Sequence, residues 1–311
     1  MISRYAPKLR SAFALMRDMS KSLKSQEDLM ARQLELLEVQ NDMLSKIRWH
    51  VSESRQISDE IRNGLAAPRL DEMSDFLAER QLGLVETIET VRDRKLSLAR
   101  YGDGEFKLMF RLEHDTQFQR NSTQVFQALN DVVLHAMDNP DKLLVGLPHP
   151  HRDKYWTNFY SQFSGQIIKR FEALPVVGNS QATRPILFHA CGPAAVDAWR
   201  SVWEGLDVTV VTGRGSRFEM VPELFDNIRS STFEYSEPRH AFDDLPRLLK
   251  VLEGSTSDLV LISLGQAGTV LASELAMRGQ WALDIGHLSN SYNQIYKGAV
   301  RPEQLPFSTV E

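Results

Sequence analysis

Ser97-Leu98-Ala99-Arg100-Tyr101-Gly102-Asp103-Gly104-Glu105-Phe106 joins a short apolar run to an acidic, glycine-rich turn. A run this short, closed by turn residues, reads as a buried strand ending in a loop. The pattern recurs downstream. Strands are expected at 96–101, 143–147, 185–189, 207–212, 258–264 and 281–285. Several are almost unbroken in apolar residues (Val210-Val211; Leu259-Val260-Leu261-Ile262), as in strands covered on both faces. Helical patterns fall between them, at 194–203, 220–227, 244–252 and 267–277. Strands alternating with helices predict an α/β fold, a Rossmann-like and mostly parallel sheet with helices on both faces. Such sheets bind ligands at the carboxyl ends of their strands.

The amino-terminal part has a different texture. Residues 10–62 lack Pro and Gly and are rich in helix formers. Met30, Leu34, Leu37, Asn41, Leu44, Arg48 and Val51 follow the four-three spacing of a coiled-coil seam, with Asn41 at an a-position. This predicts a homodimer through residues 25–55; the alternative is a long helix packed on its own domain. Gly64-Leu65-Ala66-Ala67-Pro68 is expected to break the helix. The division is a helical arm over 1–66 and a second domain over 67–311, which opens on a further helix at about 71–94. In the first 24 residues Arg4, Lys8, Arg10, Arg17, Lys21 and Lys24 face a single acid, Asp18. That stretch reads as an ordinary basic helix, a helix in weak contact with a membrane surface, or a transit peptide. It lacks the continuous apolar core of a secretory signal.

Bulk composition narrows the field. The chain has 311 residues, 42% hydrophobic and 25% charged, with net charge −5. These values suit a globular protein and do not favour nucleic acid as a partner. Cys191 is the sole cysteine, so no intrachain disulfide can form. A cytoplasmic protein, peripheral to a membrane at most, is the expectation.

Four strand-end motifs carry chemistry. In Gly102-Asp103-Gly104-Glu105 an extended backbone would point both carboxylates to one side, a hard-oxygen pair suited to Mn²⁺ or Mg²⁺. An Asp-Gly dipeptide is also an ordinary solvated turn. Arg100 could contact phosphate or orient a carboxylate. In Gly213-Arg214-Gly215-Ser216-Arg217 the backbone amides of a Gly-x-Gly turn could cradle phosphate, with Arg217 adding charge. Phe218 stands where the third glycine of a dinucleotide fingerprint belongs. Leu264-Gly265-Gln266-Ala267-Gly268 opens a helix whose amino terminus could hold an anion. Asp284-Ile285-Gly286-His287 offers a base or a phosphate contact. His149-Pro150-His151 has no third ligand nearby in sequence and reads as a loop.

In this order the four motifs resemble those of the GT-D glycosyltransferases. That family has Arg-x-Gly-Asp-Gly-Glu near the domain start, here residues 100–105. A Trp-Glu-Gly segment, a Gly-x-x-Ser-Arg turn and Leu-Phe-Asp-Asn follow, here at 203–205, 213–217 and 224–227. A Leu-Gly-Pro turn and an Asp-Ile-Gly-His close the set, here at 264–266 and 284–287. The resemblance covers about residues 90–292. It implies a hexosyltransferase-like enzyme taking a nucleotide-sugar donor, a UDP-sugar first, to a glycan, protein or lipid-linked acceptor. It implies Mn²⁺ or Mg²⁺ at Asp103 and Glu105. Donor contacts are expected from Arg100, Gly213, Gly215, Arg217, Gly265 and Gly268, and catalysis from His287 and Asp284. The chain departs from the pattern at Gln266 (family Pro), Ser289 (family acid) and Ser291 (often Glu). Two rival readings stand. One is a Rossmann dinucleotide binder with Glu234 as its ribose-binding acid; the other is a coiled-coil scaffold carrying an inactive transferase-like domain.

Overall fold

The computed structural model describes residues 6–151 and 153–300, with side chains described from Ser11 onward. Arg4 and the side chains of Lys8 and Arg10 therefore lie outside the described residues. The chain divides into two compact units, residues 1–65 and 66–311.

The first unit is helix α1 (Ala6–Ala78) up to Leu65. Its large apolar side chains are exposed, among them Met30, Leu34, Leu37, Leu44 and Val51 of the seam. The expected break at residues 64–68 does not occur: α1 runs through with Pro68 inside it. Proline forfeits one hydrogen bond and its ring crowds the carbonyl four residues back. That residue is Gly64, which carries no Cβ, and Pro68 itself is exposed. From Ala66 onward the same helix belongs to the second unit, where Ala66, Leu70, Met73, Phe76 and Leu77 are buried. Burying the four larger of these side chains is worth about 1.5–3 kcal/mol each, enough to outweigh the local defect.

The second unit continues with α2 (Leu84–Arg94), β1 (Ser97–Arg100), α3 (Asp103–Phe110), α4 (Thr123–Asp138), β2 (Leu143–Leu147), α5 (Lys154–Phe171) and β3 (Gly178–Asn179). After these come α6 (Pro185–Cys191), α7 (Pro193–Trp203), β4 (Asp207–Gly213), α8 (Pro222–Phe225) and β5 (Ser230–Ser236). The described chain ends with α9 (Leu245–Glu253), β6 (Leu259–Ser263), α10 (Gln266–Met277), β7 (Ala282–Asp284) and α11 (Leu288–Tyr296). The seven strands form one sheet in the order β3-β2-β1-β7-β6-β4-β5. Every pairing is parallel.

Side chains leave the strands alternately toward two cores. Ala99, Val145, Val211, Val260 and Ile262 point to the layer of α3, α4, α5, α9, α10 and the end of α1. Leu98, Leu144, Val210, Leu261 and Leu283 point to the layer of α2, α6, α7, α8 and α11. The expected fold class, a parallel α/β sheet covered on both faces after a long helix, is what the chain adopts.

Several elements differ from the sequence reading, and the helix expected at about 71–94 is the end of α1 followed by the separate α2. Residues 185–189 are not a strand but the first turns of α6, with Pro185 at its start. Proline at the first helical position is pre-organised for a helix, and a short apolar run alone does not tell helix from strand. Strand β5 and the two-residue β3 were not anticipated. β5 is the exposed edge, Ser-Ser-Thr-Phe-Glu-Tyr-Ser, without the apolar run that marks the buried strands.

Candidate active site

The four motifs lie far apart in sequence, but β1, β7, β6 and β4 are consecutive neighbours in the sheet. Their carboxyl ends therefore meet. Chain order also switches here: from β1 the path runs outward to β2 and β3, while β7, β6 and β4 fill the other side. A crevice at such a switch point is the expected ligand site of an open α/β sheet. A cavity of about 780 Å³ opens there. Arg100, Asp103, Glu105, Gly213, Gly215, Arg217, Gly265, Asp284 and His287 all line it.

Gly268 does not. It sits in the first turn of α10, where a Cβ would lie 3.1 Å from Ile262 Cγ2 and 3.6 Å from Asp284 Oδ1. Its missing side chain lets α10 pack close to the sheet, so its place is structural rather than at the donor. Gly265 just before it has φ +56° and ψ −142°, a conformation that only glycine adopts readily. It turns the chain so that the amino terminus of α10 faces the cavity.

Arg100 and Asp284 form the floor. Arg100 Nε donates to the Asp284 carbonyl at 2.6 Å, one terminal nitrogen to Asp284 Oδ1 at 2.9 Å, and the other to the Ser180 carbonyl at 3.2 Å. Their side chains are 12% and 3% exposed. Of the two roles open to Arg100 at the outset, the geometry fits orienting a carboxylate. Burial pushes the Asp284 carboxyl up and Arg100 offsets part of that rise. The amide of Gly286 also donates to Asp284 Oδ1, at 3.1 Å. At Gly286, with φ +46°, a Cβ would run into the Arg100 guanidinium. An aspartate so enclosed is poorly placed to take a proton from a substrate.

The acidic turn is helical, not extended. Gly102 caps α3, and Glu105 folds back so that Oε2 accepts from the Gly102 amide at 2.8 Å. Residues two apart on a helix point about 200° apart, so the spacing no longer sets the two carboxylates side by side as an extended turn would. Glu105 is 9% exposed. Burial chiefly, with the fields of Asp284 and Asp103, raises its carboxyl to about 7. Asp103 remains half-exposed; Lys107 and Tyr155 hold it below its usual value although burial alone would raise it.

The Gly213–Arg217 loop leaves β4 without entering a helix; α8 begins only at Pro222. Thr212 and Ser216 hydroxyls meet at 2.6 Å, and Asn290 of α11 donates to the Arg217 carbonyl at 3.0 Å. The fourth motif's helix thus braces the second motif's loop. The outer parts of that second motif are scaffold. Trp203 donates to the Leu224 carbonyl at 2.8 Å, the Gly205 amide to Asn227, and Asn227 to Arg200. Glu234 lies two residues before the end of β5 and does not line the cavity, which leaves the dinucleotide reading without its ribose acid.

Sequence reasoning missed several cavity residues: His151, Trp156, Gln181, Arg184 and Arg239. They come from segments following β2, β3 and β5. Two of those strands were unrecognised, and Arg184 immediately precedes the helix taken for a strand. His149-Pro150-His151 is a loop as expected, and His151 contacts Gln181 on the cavity wall. Ser291 donates to the Thr183 carbonyl at 3.0 Å, while the Ser289 hydroxyl is buried without a hydrogen bond.

A family model described as the glycosyltransferase GT-D fold matches residues 98–310. Glycosyltransferase GlyD of Streptococcus pneumoniae serotype 4 is 24% identical over 229 residues, 70% of this chain and 28% of that protein. A probable glycosyl transferase Gly of Streptococcus gordonii is 25% identical over 249 residues, 76% of this chain and 35% of its own length. The chain thus spans about a third of the length of these curated relatives. Two solved structures share the fold. One, reported as a domain of unknown function 1792 with a distinct glycosyltransferase fold, aligns with TM-score 0.65 at 23% identity, covering 74% of this chain and 86% of its own. The other, reported as a new glycosyltransferase from Streptococcus sanguinis, aligns with TM-score 0.63 at 22% identity, covering 74% and 90%. With the family model spanning most of the chain and the sheet's four central strand ends meeting in one cavity, the chain belongs to the glycosyltransferase GT-D fold family.

Proposed function

We propose that the protein transfers a sugar from a nucleotide-sugar donor, a UDP-sugar first, to a hydroxyl of a glycan, protein or lipid-linked acceptor. One observation carries this reading: a single cavity joins the amino terminus of α10 and the arginines 184, 214, 217 and 239 to the acidic end of β1. Helix amino termini and arginines favour a diphosphate.

Mn²⁺ or Mg²⁺ is the cofactor this reading implies. Among the described residues no three His, Cys, Asp or Glu side chains converge to hold an ion unaided. Such ions commonly use one or two carboxylates plus substrate phosphates. Asp103 fits that pattern: it is a hard oxygen donor on the cavity wall and already holds a cation, the Lys107 ammonium at 2.8 Å. Asp103 would hold the ion; Glu105, tied to the Gly102 amide, would fix the turn that presents it. Bound there, the ion would neutralise charge on the departing diphosphate. Arg217 and the α10 amides would add positive potential to the same oxygens. His287, at the start of α11 on the cavity wall, would take the proton of the acceptor hydroxyl. Asp284, locked on Arg100, would hold the floor of the site.

The test is a screen of nucleotide sugars with and without Mn²⁺, read by thermal shift and donor hydrolysis. A UDP-sugar should stabilise the protein and turn over only with the metal. Asp103→Ala, folded, should lose that turnover, and His287→Ala should lower acceptor transfer by about a hundredfold or more. Dinucleotide binding without metal would favour the Rossmann alternative. No donor turnover under any condition would favour the scaffold.

A further inference from the structure

Asp103 is not an open carboxylate. Its Oδ2 accepts from Lys107 Nζ at 2.8 Å and from the Tyr155 hydroxyl. Lys107 Nζ also donates to the Tyr155 oxygen at 2.8 Å and stands 5.3 Å from the centroid of that ring. Three groups thus close a triangle on one oxygen. The geometry is set by secondary structure. Lys107 is one turn after Asp103 on α3, where i and i+4 side chains meet. Tyr155 is in the first turn of α5, fixed by Asp153, whose Oδ1 accepts from the amides of Tyr155 and Trp156. The lysine and tyrosine therefore come from two helices that meet beside the end of β1. The Lys107 side chain is 27% exposed and that of Asp103 40%, so the ammonium can leave without disrupting the core.

We propose that Lys107, braced by Tyr155, is a competitive latch on the metal site: its ammonium occupies Asp103 until a divalent cation and a donor diphosphate arrive together. This rests on the metal reading given above. The ion and the ammonium share one carboxylate, and two cations this close repel, so binding of the ion favours release of the ammonium. An ion arriving alone must displace a charge-assisted hydrogen bond and leave the ammonium in solvent. An ion arriving with a diphosphate lets the displaced ammonium pair with phosphate oxygens instead. Metal and nucleotide binding are then coupled, and by linkage each strengthens the other equally. Lys107 and Tyr155 are positioning residues here; neither need touch the sugar.

The experiment is Mn²⁺ binding to the full chain, read from loss of the free-ion electron paramagnetic resonance signal, with and without UDP. The panel is wild type, Lys107→Met, Lys107→Arg, Tyr155→Phe and Asp103→Asn, each checked for wild-type circular dichroism. Lys107→Met keeps the stem and removes the charge, and should tighten Mn²⁺ binding about tenfold without UDP. Tyr155→Phe should tighten it less, and Lys107→Arg should stay near wild type. UDP should strengthen Mn²⁺ binding more in the wild type than in Lys107→Met, after subtraction of the Mn²⁺–UDP complex formed without protein. Equal affinity in wild type and Lys107→Met, with binding lost in Asp103→Asn, would overturn the latch and leave the metal reading standing. No Mn²⁺ binding to any chain, even with UDP, would overturn the metal reading and the latch with it, since Lys107→Met should expose the carboxylate.

Discussion

At the scale of single residues, the site is held together by buried charge. The Arg100–Asp284 pair links β1 to β7 and, through Ser180, to the turn after β3. Removing one member of such a pair leaves the other charged and unpaired, at a cost of about 3–5 kcal/mol. Arg100→Met should lower unfolding free energy by that order in urea titrations, and Arg100→Met/Asp284→Leu should recover part of it; a single-variant loss below about 1 kcal/mol would contradict the clamp. Glu105 makes a prediction of opposite character. Its carboxyl titrates near 7 in the folded chain against 4.5 ordinarily, so the folded state binds the proton more tightly. Its contribution to stability is complete below pH 4.5 and is lost as pH rises through 7, a change on the order of 3 kcal/mol. Glu105→Gln removes this titration, so its stability relative to wild type should climb by that order between pH 4.5 and 8. Flat relative stability would place Glu105 in a more solvated setting. The identities of these residues could be read from sequence; their division of labour could not. Arg100 and Asp284 spend their bonding on each other, and Glu105 on a helix cap, because helical geometry replaced the extended turn that spacing suggested.

At the scale of elements, legibility followed apolar pattern. The buried strands β1, β2, β4, β6 and β7 stand where the sequence has short apolar runs, several of them almost unbroken. β5 escaped because an edge strand has no such run, and α6 was misread because Pro185-Ile186-Leu187-Phe188 serves a helix start as well as a strand. The error was costly for the site, since the amino end of α6 carries Arg184 and Pro185 to the cavity. The unbroken α1 teaches the converse lesson: five buried side chains beyond residue 65 outweigh a Gly and a Pro. Helix α1 therefore carries a defect that can be repaired. Pro68 is exposed, so alanine there loses no core contact and restores a backbone donor. Alanine is favoured over proline in a helix interior by about 3 kcal/mol, reduced by about 0.4–1 kcal/mol because the unfolded chain becomes freer. Pro68→Ala should raise stability by roughly 2 kcal/mol, measured by chemical denaturation. An unchanged or lower stability would mean that the helix is shaped around the proline.

At the scale of the whole molecule, the two units pose different problems. The second buries its apolar side chains in two cores and ends in a cavity whose parts come from strands that are distant in sequence. The first exposes its apolar side chains. Leu37, Leu44 and Val51, at seven-residue steps, are 54%, 50% and 45% exposed, and Met30 one step earlier is 65% exposed. Leucine at such steps is the seam of a coiled coil, and exposed apolar surface on this scale marks an interaction site. We propose that a second copy of the chain covers it, through residues 25–55. Asn41 sits between Leu37 and Leu44 at the position where a buried asparagine sets register and favours two parallel strands. Arg48 at the next equivalent position opposes its own copy and weakens the seam toward its carboxyl end. The association should therefore depend on concentration and centre on residues 30–44. Leu37→Glu/Leu44→Glu in the full chain places two carboxylates per copy on that seam, where like charges repel. The expected outcome is a halving of mass by light scattering, with the second unit's thermal unfolding unchanged because both residues belong to the first unit. A wild-type mass already that of one chain across the micromolar range would refute self-association through this seam. Asn41→Leu supplies the complementary arm: it should raise the mass or tighten the dimer, since the asparagine favours register at the expense of affinity.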